Sequence, residues 1–176
     1  MQFTATDLPG VYIIELERVE DERGFFARTW CQHEFEAHGL EAQLAQCSLS
    51  FNLKRGTLRG LHYQIEPHTE SKLIRCTQGS LYDVAVDLRP ASPAYRRWLA
   101  IELSADNRRM VYLPSGLAHG FQTLEDNTEV FYQISESYHP ECACGARWDD
   151  TAFKIDWPMP PTVISPKDQQ YPDFVA

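Results

Sequence analysis

No stretch of this sequence approaches the roughly 20 consecutive apolar residues that a membrane-spanning helix needs, so a membrane is not an expected partner. Met1-Gln2-Phe3-Thr4-Ala5-Thr6-Asp7 has no basic start leading into an apolar run, and no signal peptide is expected. Positive charge is scarce: 16 Lys and Arg stand against 25 Asp and Glu, a formal net charge of −9. Such a field disfavours nucleic acid and anionic membranes, and any anionic ligand must meet a local basic cluster. The five cysteines lack disulfide-framework spacing, and Cys142-Ala143-Cys144 is not the two-residue gap of zinc and redox pairs. They read as free thiols of a reducing cytoplasm.

Two further absences narrow the chemistry. His62 is followed by Tyr63 and Gln64, so the compact His-x-His pair of metal-binding jelly rolls is missing. His62 and His119 would be two ligands without an evident third and fourth, and neither a metal nor another cofactor is expected. His33, His38, His68 and His139 sit in polar or helical surroundings and read as surface residues. There is also no internal repeat, no low-complexity linker and no run of helices to cover a parallel sheet.

What is present is a series of short extended segments. Val11–Glu17 reads as a strand, Asp21-Glu22-Arg23-Gly24 as a turn, and Phe25, Phe26 and Trp30 as part of a second strand. Glu34–His38 is the best helix candidate, ended by Gly39. Extended segments then follow at 43–51, 57–64, 72–77, 81–88, 98–103, 110–113, 118–124 and 129–135. Turn residues such as Gln78-Gly79, Arg89-Pro90, Pro114-Ser115-Gly116 and Glu125-Asp126-Asn127 separate several of them. The tail from Trp157 to Pro172 is proline-rich and is expected to lie over the body without regular structure. At 176 residues, with 43% hydrophobic and 23% charged residues, the chain suits one domain spanning 1–176. The expected fold class is all-β, a jelly roll with a few short helices, which can hold a ligand cavity between two sheets.

The most informative stretch is Arg55-Gly56-Thr57-Leu58-Arg59-Gly60-Leu61-His62-Tyr63-Gln64. Two glycines interrupt a strand-like run that carries arginines, an imidazole, a phenol and an amide where a plain core strand would carry Val, Ile and Phe. The plainer alternative is a hydrogen-bonded core histidine beside a surface arginine. Strand parity puts Gly60, His62 and Gln64 on one face and Arg59, Leu61 and Tyr63 on the other, unless Gly60 sits in a bulge. Tyr132 falls with Val130 and Ile134, and Lys72 with Ile74 and Cys76. A histidine base, a lysine cation and a tyrosine acid on one interior would suit proton removal beside a carbonyl and its return from the opposite face. A carboxylate on the histidine would fix its tautomer, but many Asp and Glu residues are candidates.

Several motifs, in order along nearly the whole chain, resemble one family. They are Asp21-Glu22-Arg23-Gly24-Phe25-Phe26, Arg59-Gly60-Leu61-His62-Tyr63-Gln64, Lys72-Leu73, residues 82–89, Pro114-Ser115-Gly116-Leu117-Ala118-His119-Gly120-Phe121, Arg147-Trp148-Asp149-Asp150 and Ser165-Pro166-Lys167-Asp168. The sequence is similar to the dTDP-4-dehydrorhamnose 3,5-epimerase family. The resemblance implies a metal-free, cupin-like jelly roll (double-stranded β-helix) that forms homodimers and epimerises nucleotide-linked, by default dTDP-linked, 4-keto-6-deoxyhexoses at carbon 3, carbon 5 or both. It implies His62 as general base, Asp168 as its paired carboxylate, Tyr132 as the opposing acid and Lys72 as the cation at the C4 enolate. It implies ligand contacts from Arg23, Phe26, Gln46, Ser48, Arg59, His119 and Lys167, with Tyr138 stacking on the base.

Four places depart from the family pattern: Arg28 and Ala143 stand where acidic residues are common, Gln46-Cys47-Ser48 replaces Gln-x-Asn, and Glu70 replaces a glutamine. The expectation is a relaxed or altered base preference. The alternatives are a 3,4-ketoisomerase and a non-catalytic sugar-nucleotide binding protein on the same fold. The full base–acid set argues against both, since a binding module needs neither group.

Overall fold

Short extended segments along the chain build two facing sheets, each with one inner and one outer face. In the computed structural model, residues 1–175 are described. The strands are β1 (Gln2–Ala5), β2 (Tyr12–Glu15), β3 (Arg18–Asp21), β4 (Gly24–Ala27), β5 (Gln46–Asn52), β6 (Thr57–Gln64), β7 (Lys72–Gln78), β8 (Ser80–Asp87), β9 (Trp98–Ser104), β10 (Met110–Leu113), β11 (Leu117–Thr123), β12 (Thr128–Ile134), β13 (Ala143–Gly145) and β14 (Val163–Ile164). The helices are α1 (Gln32–Ala37) and α2 (Pro166–Gln169). One sheet runs β1-β2-β10-β7-β12-β5 and the other β13-β6-β11-β8-β9, with β14 parallel along β6. β3 and β4 form a separate hairpin. This is a cupin-like jelly roll, as the sequence leads one to expect. No helix among the described residues is long and apolar enough to cross a membrane.

The inner faces meet through Ile74, Leu81, Leu103, Val111, Phe121 and Val130, all essentially sealed from water. Burying each such side chain contributes about 1.5–3 kcal/mol. Phe35 of α1 covers the outer face of the first sheet with Leu73, Met110 and Tyr112. Phe153 and Trp157 cover Leu61, Val84 and Val86 on the outer face of the second.

β6 and β10 coincide with the expected segments, and most others agree within a residue or two. β5 begins three residues after the expected Gln43, at Gln46. α1 starts two residues before the expected helix, and Gly39 follows its cap with a φ of 69°. Trp30 lies beyond the end of β4, packed on Phe35 instead of continuing the strand. β1 pairs with β2 along Gln2↔Glu15 to Ala5↔Tyr12, a strand the sequence reading did not include.

The tail needs correcting: within the stretch from Trp157 to Pro172 lie β14 and α2. The cause is local. Ser165 Oγ accepts from the Asp168 N–H at 3.0 Å and Pro166 occupies the first turn, so a short helix starts there.

Candidate active site

The site is built on an irregularity in β6. His62 pairs with His119 and Arg59 with Phe121, so three residues of β6 oppose two of β11. The extra residue is a bulge at Gly60 and Leu61. It resolves the parity question: Arg59 and His62, an odd number of positions apart, both line one cavity, while Leu61 is buried among Val84, Val86 and Ala118. Gly60 has a φ of 126°, and a Cβ there would meet His119 O at 2.9 Å. Only glycine fits.

The outer edge of β6 carries β13 along His62–Gln64 and β14 along Thr57–Leu58. Between them the Gly60 N–H has no strand partner and donates to Asp168 Oδ2 at 3.3 Å. The other oxygen of the carboxylate lies 2.8 Å from His62 Nε2. Asp168 accepts the Nε2–H, which leaves Nδ1 as the basic nitrogen. Burial alone would raise the Asp168 carboxyl, but the bond and charge of His62, the Gly60 N–H and the Ser165 side chain together hold it below the usual carboxylate range. Asp168 is therefore a fixed anion behind a half-exposed imidazole.

Lys72 opens β7, is buried, and its ammonium pairs with the Glu70 carboxylate. Both line the same cavity of about 720 Å3, together with Gln46, Tyr138, Lys167 and Ala143. Gln46 Oε1 accepts the Tyr138 N–H at 3.0 Å and so fixes the segment carrying that aromatic ring. Lys167 sits 6.0 Å from the centre of the Tyr171 ring, and the phenol beside it raises the ammonium's pKa. Arg59, Lys72 and Lys167 supply the local positive charge that an anionic ligand needs in a chain of net charge −9.

Tyr132 and His119 stand behind this lining. Their rings meet edge to face at 6.0 Å, and His119 Nε2 lies 2.7 Å from Asp83 Oδ2. His119 is thus a buried, carboxylate-paired histidine on β11, beyond the cavity wall. Burial pushes the Tyr132 phenol far up, Asp83 adds to the effect and Arg59 opposes it, so the phenol keeps its proton near neutral pH.

Besides His119, three expected contacts do not line the cavity within one chain. Arg23 and Phe26 are on the exposed β3–β4 hairpin, where Arg23 pairs with Asp21 at 2.5 Å and Phe26 is 76% exposed. Ser48 pairs with Tyr132 across β5 and β12 but falls short of the lining. Of the departures, Ala143 lines the cavity, whereas Arg28 is bound to Glu34 at 2.8 Å beside α1 and adds no donor there. Tyr171, 6.1 Å from His62 ring to ring, and Asp83 belong to the site's surroundings without any forewarning in strand parity.

Fold and cavity together define the class: an enzyme of the cupin-like jelly-roll type. The sequence profile of dTDP-4-dehydrorhamnose 3,5-epimerase matches residues 5–176. A curated protein of that name from Shigella flexneri is 40% identical over 176 residues, covering 99% of this chain and 97% of its own. The crystal structure of the dTDP-4-dehydrorhamnose 3,5-epimerase from Elizabethkingia anophelis superposes with a TM-score of 0.96 at 37% identity, covering 99% of this chain and 96% of that one. The dTDP-6-deoxy-D-glucose-3,5-epimerase of Legionella pneumophila, in complex with dTDP-4-keto-L-rhamnose, superposes with a TM-score of 0.88 at 36% identity over 95% of this chain and 89% of that one. The chain belongs to the dTDP-4-dehydrorhamnose 3,5-epimerase family and is an isomerase.

Proposed function

We propose that this protein inverts carbon 3, carbon 5 or both of a dTDP-linked 4-keto-6-deoxyhexose, in rhamnose-type deoxysugar biosynthesis. The observation that carries this reading is the 2.8 Å pair of His62 and Asp168 on the wall of a cavity that also holds Lys72. The complex of the Legionella relative with dTDP-4-keto-L-rhamnose supports the substrate class.

The ketone at carbon 4 acidifies the hydrogens on both neighbouring carbons. His62 Nδ1 removes one of them, and Asp168 steadies the imidazolium that results. Lys72 stabilises the enolate oxygen, for which Glu70 has to yield its place. Tyr132, still protonated, returns a proton from the opposite face and inverts the carbon, for which its ring has to reach through from behind the present lining. Arg59 and Lys167 hold the diphosphate, Tyr138 stacks on the base, and Gln46 orders the Tyr138 segment.

Arg23 and Phe26 suggest the assembly. The hairpin exposes Val19, Phe25 and Phe26, and the edge strand β5 exposes Leu49 and Phe51; each offers apolar surface suited to a second copy. A homodimer would place Arg23 near a neighbouring cavity, and His119 and Ser48 would act at one remove from the ligand. We read the chain as one domain working in the cytoplasm, where its five free cysteines stay reduced.

The test is incubation with dTDP-4-keto-6-deoxyglucose in D2O. Deuterium at carbon 3 or carbon 5 together with inverted product is expected. A substrate returned free of deuterium would overturn the reading.

A further inference from the structure

His68, Glu136 and His139 come together beside Gln64 and Tyr138, two residues that line the cavity. Their ligand atoms lie within 4.8 Å of one another. His68 Nδ1 is 3.7 Å from Glu136 Oε2, and His139 Nε2 is 4.0 Å from Glu136 Oε1. Both separations are too long for hydrogen bonds. Three groups thus converge without hydrogen-bonding one another, and His68 Nδ1 is shut off from water with no hydrogen-bond partner. A buried ring nitrogen left unpaired is costly, and it marks a place where something else binds.

We propose that this cluster is a binding site for a single divalent cation of the zinc, cobalt or nickel type. Two imidazoles and one carboxylate, with a fourth position open to water, suit these borderline ions better than calcium or magnesium. The outer shell is in place. Glu141 Oε1 lies 3.1 Å from His139 Nδ1, so Nδ1 carries the proton and Nε2 presents its lone pair towards Glu136. The scaffold is equally fixed: the side chain of Gln64, 3% exposed, donates to His68 O at 2.9 Å and accepts the His139 N–H at 2.7 Å. One buried amide therefore holds the backbones of both histidines.

The rings now stack at 3.4 Å with planes 7° apart, which keeps their lone pairs in two parallel planes. Binding requires each ring to turn about its Cβ–Cγ bond. Ligand atoms around a tetrahedral zinc stand about 3.3 Å apart, so the present 3.7 and 4.0 Å close by less than an ångström. Tyr138 lies between Glu136 and His139 in the chain and lines the cavity, so an ion here stiffens the aromatic wall without entering the chemistry.

The experiment is calorimetric titration of the chelator-treated full chain with zinc chloride, repeated with cobalt chloride to read the ligand field. One ion per chain with a Kd of about 10 μM or tighter is expected. His68→Ala and His139→Ala should each weaken binding by about tenfold or more, and Glu141→Gln by a similar factor through the outer shell. Glu136→Gln serves as a second variant should a histidine substitution disturb folding. The proposal is overturned by absence of binding at millimolar metal. It is equally overturned by affinity that survives the His68→Ala/His139→Ala double substitution, which would assign the ion to the thiols.

Discussion

Gly60 and Gly120 press together where β6 pairs with β11: a Cβ on Gly60 would stand 2.5 Å from the Gly120 Cα. The contact fixes the bulge that turns Arg59 and His62 to the same side. Gly60→Ala is expected to lose stability by more than the roughly 1–3 kcal/mol of backbone strain alone, because backbone atoms cannot yield. Activity should fall with it. Urea unfolding checks this, and a wild-type midpoint would show that the bulge tolerates a side chain.

His62→Ala should abolish solvent exchange at the sugar carbons, with a loss of roughly 100-fold or more. Asp168→Asn should be nearly as damaging, since it removes the anion behind the imidazole while leaving the fold in place. Deuterium uptake followed by NMR reads both. Near-normal uptake by His62→Ala would assign the base to another residue.

Tyr132→Phe is expected to separate proton removal from inversion. Deuterium should still enter the substrate while inverted product falls by about 100-fold. Equal loss of both would make Tyr132 a positioning residue, acting through His119 and Arg59.

The Asp168 carboxyl is depressed in the folded chain, so its contribution to stability is complete above the unfolded carboxylate pKa, about 4. That contribution fades as pH falls through the lower folded value. Plotted against pH, the Tm difference between wild type and Asp168→Asn should be flat above about pH 5 and shrink below about pH 4. A difference that grows towards acid would mean the sign is reversed.

Exhaustive chelation should leave deuterium exchange at saturating substrate unchanged, because the proposed chemistry uses side chains only. An ion at His68, Glu136 and His139 lies outside the reacting groups, so its removal would act on the Tyr138 wall and not on turnover. Exchange lost to chelator and restored by one metal would point to His62 and His119 as ligands.

The strands were legible wherever local alternation and turn residues agreed. Thr57–Gln64 and Met110–Leu113 coincide with the structure, because their limits are set by neighbouring turn residues. The side on which Arg59 projects was not legible, since it depends on one extra residue counted against a partner strand far along the chain. The motif Ser165-Pro166-Lys167-Asp168 carried its own helix start, yet a two-residue strand has no periodicity to detect. The partners of Lys72 and His119 are Glu70 and Asp83, and ordinary acidic residues bear no mark of what they face. Arg23 and Phe26 came from motif alone. A motif gives the residue but not the chain whose cavity it reaches.

Asp168 meets His62 across 106 residues of chain. It rides on a strap held by two ladder positions of β14, the one-turn helix α2 and a serine cap. Such a segment can lift away at far lower free energy than the sheets need to open. Warming or dilute denaturant should then silence the enzyme while its two sheets still read as native. The Gly60 amide, whose acceptor is Asp168 instead of a neighbouring strand, becomes a natural reporter. Its hydrogen–deuterium exchange should track loss of turnover, ahead of the amides deep in β8 and β11.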